Sequence, residues 1–270
     1  MARPRLVLKL GGELLEDAAD LRRVARVIAR LAARASLVVV HGGGKEIDAA
    51  LAAAGIRTEQ VDGLRITDAR TLDVVIAVLA GAINTRLVAA ARRAGARPVG
   101  LTGVDAAVAT FRRAAPIVSV SGVTVDLGLV GQPVTNGRPR LLSDLLARGY
   151  VPVVACIGAS RDGRLLNVNA DTLASHLACA IGATRLVIAG GTAGVLDERG
   201  RTIPRLTSRD ASALIRSGGA NRGMVAKLQA CRAALSGGVG DVVIANGRDG
   251  RLDALAARRA SLAGFTQVAR

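Results

Sequence analysis

Residues 36–44 read Ser36-Leu37-Val38-Val39-Val40-His41-Gly42-Gly43-Gly44, an apolar β-branched run that breaks into three glycines before a helical pattern starting near Lys45. A run that is apolar at consecutive positions predicts a strand covered on both faces, and such strands belong to parallel sheets flanked by helices. The chain opens with the same grammar. Leu6-Val7-Leu8-Lys9-Leu10 runs into Gly11-Gly12 and then into a helix over about Leu21 to Ala33, with Leu21, Val24, Val27, Ile28 and Leu31 on its apolar face. Arg22, Arg26, Arg30 and Arg34 form a solvated stripe opposite, and the acids Glu13, Glu16, Asp17 and Asp20 precede the helix, where negative charge suits its N-terminus.

Outward from these two units the alternation continues. The pattern predicts a hairpin around Gln60 to Thr67, a long helix from about Asp68 to Ala96, a strand at Pro98 to Leu101 and β-hairpins within Ile117 to Val134. It then predicts a helix at Leu141 to Arg148, a strand at Val151 to Ala155, a helix at Asp171 to Ile181 and a strand at Leu186 to Ala189. Helices near Ser208 to Ser217 and Gly223 to Leu235 and a strand at Asp241 to Ala245 follow. The expected fold class is therefore α/β, a three-layer αβα sandwich with a largely parallel central sheet in two lobes. A soft boundary near residue 182 divides residues 1–182 from 183–270.

Composition narrows the function. Of 37 basic residues only Lys9, Lys45 and Lys227 are lysines; the other 34 are arginines, against 21 acidic residues, for a net charge of +16. Arginine replaces lysine on a wet surface but not where a compact ammonium on a flexible stem is required, so each retained lysine is a candidate for such a need. No tryptophan, one tyrosine and two phenylalanines give no stacking platform, which argues against a single-stranded nucleic-acid binder and leaves no nucleic acid among the expected partners. Cys156, Cys179 and Cys231 are odd in number and widely spaced, and two histidines are too few for a usual zinc site, so no metal-ligating residue is expected. The N-terminal segment has no signal-peptide pattern and no apolar run approaches about twenty residues, so the expectation is a cytoplasmic protein without a membrane partner.

Paired glycines after two successive strands place bare N–H groups at the carboxyl edge of a parallel sheet, where helix N-termini favour anions. That predicts a phosphate-handling site. Neither a GxxxxGK[ST] loop nor a GxGxxG turn occurs. Lys9 sits inside an apolar strand, where an unpaired ammonium is costly, so it needs an anionic partner at the strand end.

Val7-Leu8-Lys9-Leu10-Gly11-Gly12, Val38 to Gly44, Asp62-Gly63-Leu64-Arg65-Ile66-Thr67-Asp68, Asn167-Val168-Asn169-Ala170-Asp171 and Gly223-Met224-Val225-Ala226-Lys227 resemble, in order and spacing, the amino acid kinase family. The resemblance runs from about Leu6 to Ala245 and is nearest to the branch acting on N-acetyl-L-glutamate. It implies an amino acid kinase-like fold whose first lobe binds the amino acid and dimerises and whose second binds nucleotide. It also implies transfer of the ATP γ-phosphoryl group to the substrate's side-chain carboxylate, a step of arginine biosynthesis. By that resemblance Lys9 and Lys227 are catalytic and Asp171 orients both ammonium groups. Gly11, Gly12, Gly43 and Gly44 would hold the phosphoryl in transit through their N–H groups. Arg65 would pair with the substrate α-carboxylate and Asn167 would hydrogen-bond its polar atoms. Gly11, Gly12, Gly191, Gly194, Asn221 and Gly223 would meet the nucleotide, and Mg2+ would travel with ATP rather than on a protein ligand.

The chain departs from the family pattern in places. Ala189-Gly190-Gly191-Thr192 stands where the family usually has Thr/Ser-Asp, so Gly191 replaces an acid, and Ala226 replaces a usual proline. A first strand only a few residues from Met1 leaves no room for the N-terminal helix through which arginine-inhibited relatives form hexamers, so the expectation is an arginine-insensitive homodimer. Two alternatives stay open: a kinase for glutamate or aminoadipate held on an acidic carrier protein, which the +16 charge suits, and a non-catalytic sensor, which Gly191 suits.

Overall fold

The computed structural model of the chain describes residues 3–119, 122–134, 137–220, 222–256 and 264–270. Eight strands build one sheet: β1 (Arg5–Leu10), β2 (Ser36–His41), β3 (Pro98–Thr102), β4 (Val151–Ala155), β5 (Arg185–Gly190), β6 (Arg205–Thr207), β7 (Asp241–Asn246) and β8 (Thr266–Ala269). Their spatial order is β6-β8-β7-β5-β1-β2-β4-β3. Every pairing is parallel except β7 with β8. β1 lies at the centre, Lys9 in register with Val40 on one side and Ile188 on the other.

The helices are α1 (Ala18–Ala32), α2 (Gly44–Ala53), α3 (Ala69–Ile76), α4 (Asn84–Arg93), α5 (Arg140–Ala147), α6 (Ala170–Ala180), α7 (Ser208–Arg216) and α8 (Arg222–Ser236). Parallel crossovers are right-handed, so the direction of each step along the sheet fixes the face its helix covers. The steps from β1 to β2 and from β2 out to β3 put α1 to α4 on one face, and α1 packs on α4. The return steps from β3 through β4 and β5 to β7 put α5 to α8 on the other, where α6 packs on α8 and over β1. Helices on both faces of a mostly parallel sheet give the expected αβα sandwich. The buried side chains are overwhelmingly Ala, Val, Leu and Ile, and Phe111 and Phe265 are the fully buried phenyl rings among the described residues.

Three features depart from the sequence pattern. The predicted helix over 68–96 is continuous, but residues 77–83 form a π-helical turn between α3 and α4. That turn places the buried Asn84 so that its Nδ2 donates to His41 Nε2 and to the Val153 carbonyl, each at 3.0 Å. Within Ile117 to Val134 only Ile117–Val118 and Thr124–Val125 pair as a hairpin. Val130–Val134 instead joins a second, four-stranded sheet with Thr110–Arg113, Ile157–Ala159 and Leu165–Val168, strands too short for periodicity to reveal. Lastly, Ala69–Arg93 is long and apolar enough to cross a membrane by length and composition, against the expectation of no such segment, with mean hydropathy 2.0. Its Leu72, Val75, Leu79, Ile83 and Leu87 are buried in the protein core.

Candidate active site

The carboxyl ends of β1 and β2 bring the two glycine turns together. A Cβ on Gly12 would stand 2.6 Å from Gly43 Cα and 3.0 Å from Gly44 N, so Gly12 has no room for a side chain. One on Gly43 would collide with Ile83, which the π-helical turn holds beneath it. Among the described residues the amides of Gly12, Gly43 and Gly44 have no hydrogen-bond acceptor, and Gly44 opens α2. Three bare N–H groups at a strand edge and a helix N-terminus are an anion cradle. Gly11 corrects the expectation: its N–H donates to the Ala189 carbonyl at 2.8 Å, continuing the β1–β5 ladder, so it is not free to hold a phosphoryl group.

Close to the cradle stand three charged residues, Lys9 on β1, Asp171 on α6 and Lys227 on α8. Asn169 caps α6, its Oδ1 accepting from the Asp171 and Thr172 amides at 3.0 Å. Because Asn169 does the capping, the Asp171 side chain is released to point at the lysines. Lys9 Nζ lies 2.9 Å from Asp171 Oδ1, an ion pair off the hydrogen-bond direction, and Lys227 Nζ donates to Asp171 Oδ2 at 3.2 Å. Lys9 and Asp171 are 5% and 4% exposed. Burial alone would pull the Lys9 ammonium down, but the adjacent Asp171 carboxylate outweighs it and the pKa is raised. For Asp171, burial pushes up and is outweighed by Lys9 and then Lys227, so its carboxyl is held below the usual range. The trio carries one net positive charge beside the anion cradle.

A cavity of about 200 Å³ opens on the other side of Gly43 and Gly44, and Arg65 and Asn167 line it. The Arg65 side chain is 8% exposed. Its Nη2 is 2.6 Å from Asp48 Oδ1 and donates to the Gly44 carbonyl at 3.4 Å, while its buried Nη1 has no partner. A buried guanidinium N–H without an acceptor costs free energy until something supplies one. Asn167 donates to Thr67 Oγ1 at 3.1 Å, and Thr67 in turn donates to the Arg65 carbonyl, so Arg65 and Asn167 are tied through a fully buried threonine. Thr67 was not singled out by the sequence, although it closes the Arg65-Ile66-Thr67 motif.

The remaining candidates lie elsewhere. Gly191 follows the end of β5, and its amide donates to Glu13 Oε1 at 2.7 Å. Gly194 packs tightly on Thr266 of β8. Gly223 is in the first turn of α8, and Asn221 lies outside the described residues. His41 is fully buried at the end of β2, and burial lowers its pKa to about 4. With Asn84 donating to Nε2, the ring proton sits on Nδ1 and is given to the Gly42 carbonyl at 3.2 Å. His41 is therefore a neutral brace for the glycine turn. Cys156, which lines the cavity, is held as a thiol by burial that pushes it up to about 12.

Two facing anion-binding turns at the edge of a parallel sheet, with a lysine–aspartate–lysine trio beneath, define a phosphotransferase class of site rather than a redox or hydrolytic one. Residues 4–246 match the amino acid kinase family, and the chain belongs to it. Acetylglutamate kinase from Solibacter usitatus is 43% identical over 244 residues, covering 90% of this chain and 91% of that protein. Among solved structures, N-acetylglutamate synthase from Neisseria gonorrhoeae, complexed with coenzyme A and N-acetyl-glutamate, superposes with TM-score 0.83 at 27% identity. It covers 100% of this chain, which spans 60% of that longer protein. Carbamate kinase from Giardia lamblia bound to AMP-PNP shares the fold, with TM-score 0.68 at 16% identity over 100% of this chain and 99% of that one.

Proposed function

We propose that this protein transfers the γ-phosphoryl group of ATP, taken up as its Mg2+ complex, to the side-chain carboxylate of N-acetyl-L-glutamate. The products are an acyl phosphate and ADP. The observation that carries the reading is the unpartnered Arg65 Nη1, buried on the wall of a small cavity that ends at the Gly43–Gly44 cradle. A dicarboxylate fits there, its α-carboxylate on Arg65 and its acetamido group near Asn167, with its far carboxylate delivered to the cradle. The 43% identity to an acetylglutamate kinase over 90% of the chain supports that substrate.

The chemistry follows from the residues. A carboxylate is already a nucleophile at neutral pH, so no base is needed and the neutral, walled-off His41 is no obstacle. A carboxylate oxygen attacks the γ-phosphorus in line while the bond to the β–γ bridging oxygen breaks and leaves with ADP. Charge that spreads over the transferred oxygens meets the Gly12, Gly43 and Gly44 amides and the ammonium groups of Lys9 and Lys227. Asp171 holds both ammonium groups in place and is no metal ligand, since each of its oxygens faces a lysine. Mg2+ accordingly belongs to the nucleotide substrate. Residues 1–182 supply the acid cavity and 183–270 the nucleotide side.

The reading extends to assembly and setting. Ala77, Gly81, Ala82 and Ala89 leave an exposed small apolar strip on the α3–α4 helix, and β3 beside it is an edge strand that, among the described residues, pairs with β4 alone. Both features support a homodimer across that face. Three free cysteines suit the cytoplasm.

The test is an ATP-dependent acyl-phosphate assay with hydroxylamine trapping on free N-acetylglutamate, N-acetylaminoadipate and glutamate. Turnover with N-acetylglutamate is expected; turnover with none of the three would overturn the proposal in favour of a carrier-linked substrate or a sensor.

A further inference from the structure

Glu13 is a carboxylate that reaches the edge between β1 and β5 without pairing with a lysine among the described residues. It leaves the Gly11-Gly12 turn and crosses from β1 to β5, where its Oε1 accepts from the Gly191 N–H at 2.7 Å. Its carboxylate lies against Gly11, filling the space a Cβ would take there, and a Cβ on Gly190 would stand 3.0 Å from Oε1. The glycines at 11 and 190 thus leave the room that Glu13 occupies, while Gly191 contributes its amide. Arg248, from the loop after β7, fixes the approach: its Nη2 donates to the Glu13 carbonyl at 2.9 Å and its Nε to Asp20 Oδ2 at 2.7 Å. The arginine is bound to the backbone and to Asp20, so the Glu13 carboxylate keeps its negative charge beside the edge between β1 and β5. The charge of Glu13 also reaches Lys9, whose ammonium it helps to hold.

We propose that Glu13 makes the nucleotide side of this site discriminate between free and cation-complexed ATP. The inference rests on the kinase reading above. A polyphosphate entering between Gly12 and Gly191 passes a fixed carboxylate. Uncomplexed ATP meets it with its full charge, whereas a divalent cation on the phosphates cancels most of that repulsion. The trio of Lys9, Asp171 and Lys227 has only one net positive charge to offer against the free nucleotide, so the repulsion is not swamped. Gly191 carries no side chain of its own, and Glu13 supplies from the β1 turn the only carboxylate recorded on its amide.

The experiment is calorimetric titration of the whole protein with AMP-PNP, in excess Mg2+ and in EDTA, for wild type and Glu13→Gln. The amide is isosteric and can still accept from Gly191, so the turn keeps its geometry. The variant is expected to bind AMP-PNP in EDTA about tenfold more tightly than wild type, with binding in Mg2+ changed by less than about threefold. The wild-type preference for the Mg2+ complex should shrink accordingly. Equal preference in the two proteins would overturn the inference, as would weaker binding of the Mg2+ complex with free-nucleotide binding unchanged. Failure of wild type to bind AMP-PNP in either condition would instead overturn the kinase reading on which it rests.

Discussion

Replacing Asp171 with Asn removes one negative charge from between two ammonium groups while keeping the side chain's shape. The two lysines do not suffer equally. Lys227 is 20% exposed along its side chain and can turn toward water, whereas Lys9, at 7%, is walled into the central strand. Breaking a buried pair by deleting one partner costs about 3–5 kcal/mol, because the remaining charge stays desolvated. Nearly all of that cost falls on Lys9. The pH dependence carries the signature. In wild type the Asp171 pKa is depressed, so its contribution is present above the ordinary value of 3.8 and lost as pH falls through the folded value. Lys9 is raised, so its contribution is complete below the ordinary value of 10.5 and lost as pH rises through the folded one. In the variant, burial acts on Lys9 with the weaker influence of Glu13 against it and its pKa falls, so the variant regains stability in mild alkali. Urea unfolding across pH should therefore show a deficit of about 3–5 kcal/mol on a plateau between acid and alkali that narrows at both ends. Trapped-product turnover at neutral pH should drop at least about a hundredfold. A deficit below about 0.5 kcal/mol, or one that does not narrow in alkali, would refute the buried-pair reasoning.

Other substitutions separate the parts of the site. Lys227→Arg keeps the charge but not the compact ammonium, and kcat should fall at least about a hundredfold with the KM for N-acetylglutamate changed little. Arg65→Ala removes the guanidinium proposed to hold the α-carboxylate, and steady-state assays should show that KM rise about ten- to a hundredfold with a smaller effect on kcat. Gly12→Ala drives a methyl to 2.6 Å from Gly43 Cα, so thermal unfolding should register a loss of about 1–3 kcal/mol. If the proposed homodimer forms across the exposed strip of the α3–α4 helix, Gly81→Arg should leave a monomer by light scattering while circular dichroism stays unchanged.

The main sheet was legible because its strands are covered on both faces and read as unbroken apolar runs: Leu6 to Leu10, Leu37 to Val40 and Val151 to Ala155 needed no partner to be recognised. The second sheet was not, since Thr110–Arg113 and Leu165–Val168 are short, carry arginine or asparagine, and exist as strands only through pairing with Val130–Val134. The π-helical turn was invisible for a similar reason: Ala77 to Ile83 has ordinary helical composition, and only the demand of a buried Asn84 for His41 and Val153 shifts the hydrogen bonding. Lys9 stood out as a cation in an apolar strand and Lys227 as one of three lysines, whereas Asp171, an acid at a helix start like many others, came only from the family resemblance. The Gly11 amide failed as a phosphate donor because parallel pairing extends one residue past the apolar run, and a glycine motif does not say which of its N–H groups the ladder consumes.

The scarcity of lysine now has a physical account at two of three positions. At position 9 the ammonium must end within a cage bounded by Asp171 and the covered sheet, where a planar guanidinium with five donors would leave several of them unsatisfied. At position 227 the same point charge approaches the other Asp171 oxygen from α8, at 3.2 Å, and a compact ammonium does so without filling the space where the proposed mechanism puts the transferred phosphoryl. Lys45 differs on both counts. Its side chain is 74% exposed and its partner among the described residues is Glu16 at 3.5 Å, a surface contact that an arginine would make as well. Lys45→Arg should consequently leave turnover within about twofold, and that contrast with Lys227→Arg, measured in one assay, separates the need for an ammonium from the need for a positive charge.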